Sequence, residues 1–135
     1  MKVLSIREPY DGLICTKKKT IETRSWKTDY RGELFIHASA ASIANKLKEN
    51  VKFMKLIENI SLKPGHILCK CKLVDCIYMT KEYVENIKNN NHQEYICGEY
   101  KAGRYGWVLE DIVALIEPIL AKGQLNIWNY YSEVK

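Results

Sequence analysis

Lys19-Thr20-Ile21-Glu22-Thr23-Arg24-Ser25-Trp26, followed closely by Tyr30-Arg31-Gly32-Glu33-Leu34-Phe35-Ile36-His37-Ala38-Ser39, is the stretch that decides the fold of this chain. Ile21–Arg24 is expected to be extended, and Glu33–Ala38 to be a strand entered from the turn residue Gly32. Side chains alternate along an extended segment, so Glu22 and Arg24 share a face. The stretch gathers ammonium, carboxylate, guanidinium and aromatic groups, the parts needed to grip an anion or a planar base.

The flanks supply the rest of the fold. Lys2–Ile6 suits a first strand, and Glu8-Pro9 switches the chain, since proline is tolerated at the first helical position. Tyr10, Leu13 and Ile14, spaced i, i+3, i+4, predict a two-turn helix ending at Thr16–Lys19, where cations favour the negative pole of the helix dipole. Ser39 or Ser42 is expected to cap a helix with Ile43, Leu47, Val51 and Met54 on one face. Phe53, Leu56, Ile57 and Ile60 continue it after a break near Asn50, and Lys63-Pro64-Gly65 is a turn. Ile67, Cys69, Cys71 and Leu73 alternate with lysines as a half-buried strand does, and a bulge near Val74 keeps Asp75 from facing inward. Thr80 can cap a helix carrying Tyr83, Val84 and Ile87; Asn89–His92 ends it, and a loop with Gly98 and Gly103 leads on. Tyr105–Ala114 and Asn126–Tyr130 are the last strands expected. With no repeat, low-complexity tract or linker, the pattern is that of one mixed α+β domain over residues 1–135, mostly antiparallel and curled like a barrel, with flanking helices.

The bulk properties agree with a globular chain. At 135 residues it can bury a core without metal or disulfide staples, and 47% hydrophobic with 27% charged content is ordinary. No apolar run approaches a membrane span, and the early charges Arg7-Glu8 interrupt any signal-peptide core, so a cytoplasmic location is expected. Cys15, Cys69, Cys71, Cys76 and Cys97 are therefore expected to be reduced, mostly buried thiols. His66 near Cys69-x-Cys71 lacks a second ligand pair at finger-like spacing, so no metal or cofactor is expected. Of the net charge of +5, residues 1–32 hold nearly all, with eight Lys/Arg against four acids. Such a localised positive field is the footprint of a polyanion or phosphorylated ligand.

Read together, Ser5-Ile6-x-x-Pro9-Tyr10, Leu13-Ile14, Lys19-Thr20-Ile21-Glu22-x-Arg24-x-Trp26, Tyr30-Arg31-Gly32-x-Leu34-x-Ile36-His37-Ala38-Ser39, Gly106-Trp107, Pro118 and Lys122-Gly123-Gln124-x-x-x-Trp128 resemble the ASCH family of the PUA-like superfamily. The resemblance covers most of the chain. It implies a small β-barrel flanked by helices, with a cleft into which the Lys-x-x-Glu-x-Arg segment points, and binding of RNA or action on nucleic acids and modified nucleosides. Two positions depart from the family pattern: Lys17 replaces the usual glycine two residues before the motif lysine, and Glu8 replaces the glutamine before Pro-Tyr. A left-handed Lys17 would cost about 1 kcal/mol. Glu8 would put a negative charge on the cleft rim.

The expected site follows. Lys19 is the first candidate, to meet a phosphate or, if desolvated, to act as a base, with Glu22 handling protons or positioning it. Arg24 can fork onto phosphate or pair structurally with Glu22. Lys18, Lys27, Tyr30 and Arg31 form a basic and aromatic patch, Trp26 is the best placed tryptophan to touch a ligand, and Tyr10 and Ser39 complete the cleft. Trp107 is expected in the core, and His37 as a hydrogen-bonded structural histidine. The leading expectation is binding of RNA or a nucleotide-like ligand. Against it stand an amidohydrolase acting on acylated cytidine, an RNA-cleaving enzyme using Lys19 and Glu22, and a protein-binding adaptor using the same groove. The amidohydrolases of the resembled family pair a lysine with a threonine three positions on; Glu22 holds that slot, and the distant acid is left among Glu82, Glu85 and Glu94.

Overall fold

The computed structural model describes residues 1–41 and 43–131. Strand β1 (Lys2–Ile6) leads into helix α1 (Tyr10–Cys15), then β2 (Ile21–Arg24) and β3 (Gly32–Ala38). Two short helices, α2 (Asn45–Lys48) and α3 (Val51–Ile57), precede the long strand β4 (His66–Tyr78). Helices α4 (Lys81–Asn90) and α5 (His92–Ile96), the long strand β5 (Tyr105–Leu120) and the short β6 (Ile127–Asn129) complete the order. The strands form one sheet in the order β2-β5-β4-β3-β1-β6, curled into a half-barrel. Among the described residues, only β1 and β3 pair in parallel; the other neighbours are antiparallel. This is an α+β, PUA-like architecture.

Alternation in the strands builds the core. Leu4 and Ile6, Leu34 and Ile36, Cys69, Cys71 and Leu73, and Trp107 and Leu109 face inward, and α1 closes over them through Ile14. Val3, Phe35, Ile67 and Trp128 pack on the other face. The opposite side of α1 presents Leu13 to Phe53, Ile57 and Cys97, so one short helix links the sheet to α3 and to the segment after α5. Burying such side chains stabilises by roughly 1.5–3 kcal/mol each before entropy is counted. The bulge expected near Val74 is present: Leu73 pairs Leu109 and Asp75 pairs Val108, which leaves Val74 as the extra residue and turns Asp75 outward.

Several expectations are corrected. Pro9 occupies the cap position, one residue before the first helical one. Ser39 caps no helix; its Oγ accepts from the Ala41 backbone N–H in a local turn, while Ser42 lies outside the described residues. Val51 is exposed, because Asn50 restarts the helix through its own cap to the Phe53 N–H and rotates the apolar face to Phe53 and Ile57. Beyond Asn90 the chain forms α5 where a loop was expected, and β5 runs on past Ala114 to Leu120. The five-thiol expectation also fails, since Cys15 and Cys69 are paired in a disulfide. Helix α1 packs on the sheet face that carries Cys69, which brings the two Cα atoms to 5.7 Å, a spacing that such a bond spans. Cys71 and Cys97 remain buried free thiols.

Candidate functional site

The site begins with a chain reversal. Lys17 adopts a left-handed conformation (φ +66°), and the N–H groups of Lys18 and Lys19 both donate to the Leu13 carbonyl, at 2.9 and 3.1 Å. The reversal sends consecutive lysines opposite ways. Lys18 donates to the Leu56 carbonyl at 2.7 Å, whereas Lys19 turns inward, donates to the Cys97 carbonyl at 2.7 Å and is only 1% exposed. Glu94 clamps the next step from α5: its carboxylate accepts from the Thr20 N–H (2.8 Å), the Thr20 hydroxyl (2.9 Å) and the Ile21 N–H (3.3 Å). Thus β2 starts in a fixed place, and pairing with β5 carries it to Arg24.

Along β2 the charges form a chain. Glu22 is nearly buried; one carboxylate oxygen lies 3.7 Å from the Lys19 ammonium and the other 3.1 Å from Arg24 Nε. The contact of Arg24 with Glu22 is an ion pair without hydrogen-bond geometry at Nε, whereas Nη2 donates to the Ser5 carbonyl at 2.9 Å, and neither contact uses Nη1. The Lys19 ammonium lies 5.6 Å from the centroid of the Tyr10 ring, a cation–π contact. A buried ammonium is costly unless paired and hydrogen-bonded. Carbonyl, carboxylate and ring together meet that need. Gly98 makes room for it: a Cβ there would stand 2.9 Å from Thr23 Cγ2 and 3.2 Å from Lys19 Nζ.

These groups line a solvent-open cleft of about 360 Å³, walled by Ile6, Arg7, Tyr10, Lys19, Glu22, Thr23, Arg24, Ser25, Trp26, Gly98, Glu99 and Arg104. Four cationic side chains oppose two carboxylates, so donors and acceptors both face the space. Trp26 stands edge-on to the buried Trp107 at 4.7 Å, which fixes its ring at the cleft wall. Arg104 bonds to the Glu99 and Thr23 carbonyls and braces the far wall. Tyr10's phenol is pushed up in pKa by burial and then by the Glu22 charge, so it stays a neutral donor near neutrality.

The structure thus brings Lys19, Glu22, Arg24, Trp26 and Tyr10 into one concavity and leaves others of the expected set outside it. Lys18 is spent on Leu56. Lys27 is exposed away from the cleft wall. Tyr30 donates to the Glu33 carbonyl, and Arg31 to the carbonyls of Thr28 and Tyr30, so both secure their own loop. Ser39 lines a neighbouring hollow. Arg7, Thr23, Gly98, Glu99 and Arg104 are cleft residues that sequence reasoning did not single out. For Gly98 the missed signal was a glycine in a loop that later proves to touch the motif lysine.

Glu8 requires a correction. It is 3% exposed and turned inward beside the fully buried Asp11, because α1 begins at Tyr10 and aims that turn at the interior. It places no charge on the cleft rim. None of the four carboxylate oxygens has a well-formed hydrogen-bond partner among the described residues. Burial and the Glu8 neighbour push Asp11 up to about 8, and burial also raises Glu8. Of the distant acids considered, Glu82 and Glu85 are exposed on α4, and Glu94 is occupied by Thr20 and Ile21. Burial pushes the Cys71 thiol up to about 12 and Cys97 to about 11, which makes both poor nucleophiles and ligands.

A protein-family model described as the ASCH domain matches residues 4–118. No curated protein matches the chain.

Proposed function

The chain belongs to the ASCH domain family, and from that premise we propose that it binds RNA or a nucleotide-like ligand in the basic cleft around Lys19, Glu22 and Arg24. One observation carries the reading: ammonium, carboxylate and guanidinium converge on a single opening whose walls include the Tyr10 and Trp26 side chains. A simple phosphate pocket has no use for two carboxylates. A base edge, which offers donors and acceptors side by side, uses both. At about 360 Å³ the cleft lies at the low end of small-ligand sites, the scale of one base rather than a folded partner. Lys19 and Arg24 meet phosphate or base edge, Glu22 keeps their charges apart, and Trp26 or Tyr10 offers an aromatic wall.

The test is a titration with short single-stranded RNA and a panel of modified nucleosides, comparing wild type with Lys19→Ala. Loss of the ammonium is expected to weaken binding by at least about tenfold, the scale of one charge-assisted hydrogen bond. Equal affinity in a variant with an unchanged melting profile overturns the assignment.

A hydrolytic reading keeps one supporting observation. Thr23 and Glu99 line the same cleft as Lys19, and the Thr23 hydroxyl accepts from the Glu99 N–H at 3.0 Å. Turnover of acylated cytidine, lost in Lys19→Ala, would select that reading; intact ligand after prolonged incubation selects binding.

A further inference from the structure

A second hollow, about 620 Å³, adjoins the cleft and shares Arg7 and Arg24 with it. Its other polar walls are Ser5, Ser39, Lys122, Gln124 and Asn126. Arg24 stands at the junction, tied to Glu22 on one side and to the Ser5 carbonyl on the other. Arg7 is exposed at the same border.

The loop that walls this hollow is held from inside. Trp128 Nε1 donates to Ser5 Oγ (3.0 Å), Ser5 Oγ lies 3.0 Å from His37 Nδ1, and His37 Nε2 lies 2.7 Å from the Ala121 carbonyl. One arrangement satisfies every group: the Ser5 hydroxyl donates to Nδ1, and the Nε2 proton goes to Ala121. His37 is 1% exposed, so this relay sits in the interior. Gly123 lies flat against it; a Cβ there would stand 2.9 Å from His37 Cε1 and 3.0 Å from Ser5 Oγ. The loop is therefore seated by buried polar contacts, while Lys122 and Gln124 stay exposed beside the hollow.

We propose that the two hollows form one groove for at least two successive nucleotides of single-stranded RNA. The phosphodiester between them lies at Arg7 and Arg24, and the second nucleotide rests against Lys122 and Gln124. This rests on the RNA-binding reading of the first cleft and adds a length requirement to it. The chambers divide the work: the first holds rings and buried charge for a base, whereas the second has an exposed ammonium and amide suited to sugar and phosphate.

The experiment titrates a nucleoside monophosphate, a dinucleotide and a tetranucleotide of the same base against wild type, Lys122→Glu and Gln124→Ala. Wild type is expected to gain about tenfold in affinity from the mononucleotide to a dinucleotide that bears a terminal phosphate, which adds one phosphate and one nucleoside to the contacts. Lys122→Glu is expected to erase that gain while changing mononucleotide affinity less than about twofold, since Lys122 lines the second hollow and not the first, and an exposed charge is weakened by salt. Gln124→Ala reduces the gain in part. Equal wild-type affinity for mononucleotide and dinucleotide overturns the second chamber and leaves the first standing. An equal loss for both ligands in Lys122→Glu also overturns it, because that reports only a general field. Absence of any nucleotide or RNA binding removes both readings together.

Discussion

Lys17 lies in the left-handed region at φ +66°, on the turn that delivers Lys19 to the interior. An L side chain there costs about 1 kcal/mol, and its own side chain is exposed. Lys17→Gly is therefore expected to stabilise the protein by up to about 1 kcal/mol, less what glycine adds to unfolded-chain entropy, as read by urea denaturation. Gly98 is the complementary case. Gly98→Ala drives a methyl toward Thr23 and the Lys19 ammonium, so ligand affinity should fall although no charge has changed. Unchanged affinity in a folded Gly98→Ala protein would mean that Lys19 has room to move. The motif lysine was legible as a cluster of charge types. Its separation from Lys18 was not, because two adjacent lysines beyond a helix end look alike until the left-handed residue between helix and strand is seen.

Among the elements, α1 does the most with the fewest residues, and it carries a buried acid pair. Asp11 titrates near 8 in the fold against an ordinary 3.8, so between those values the folded protein holds a proton that the unfolded chain releases. Stability then falls as pH rises through that window, since the unfolded state binds fewer protons. Denaturation at about pH 5 and about pH 8 should show the decline, and Asp11→Asn should flatten it. A decline of the same slope in Asp11→Asn would assign it elsewhere. Helix α4 offers a simpler case: the Thr80 hydroxyl accepts from the Tyr83 N–H at 3.1 Å, so Thr80→Ala should cost about 1 kcal/mol in thermal unfolding. That cap, the period of β4 and the bulge at Val74 were all readable, because each is a local pattern of two to four residues. Helix α5 was not. Its five residues His92–Ile96 are too few to display a helical period, and it is held by tertiary contacts: Glu94 accepts from the N–H groups of Thr20 and Ile21, and Ile96 packs against the cluster around Leu13 and Phe53.

At the level of the whole molecule, the fold divides the positive charge of the first quarter: Arg7 and Arg24 stand on the border of two hollows and Lys19 in the first, while Lys18, Lys27 and Arg31 lie outside both. RNA affinity should accordingly decline linearly on a log–log plot against salt, with a slope of about −0.7 per phosphate engaged. A flat response would rule out phosphate contacts as the source of binding. The mostly antiparallel, curled character of the sheet was foreseeable, whereas its strand order and the far wall of the cleft were not. Gly98, Glu99 and Arg104 reach it only through the β2–β5 pairing and the bonds to Thr23, contacts that no local pattern in the chain announces.

The Lys19 ammonium takes its shortest bond from a carbonyl 78 residues later, and Thr20 takes its clamp from an acid 74 residues later. During synthesis the early half of the cleft therefore emerges into water and waits, hydrated, for the second half of the chain to arrive. Ligand can recognise only the finished product, so its grip becomes a gauge of native population: each tenfold excess over the dissociation constant should add about 1.4 kcal/mol to the unfolding free energy and raise the melting temperature accordingly.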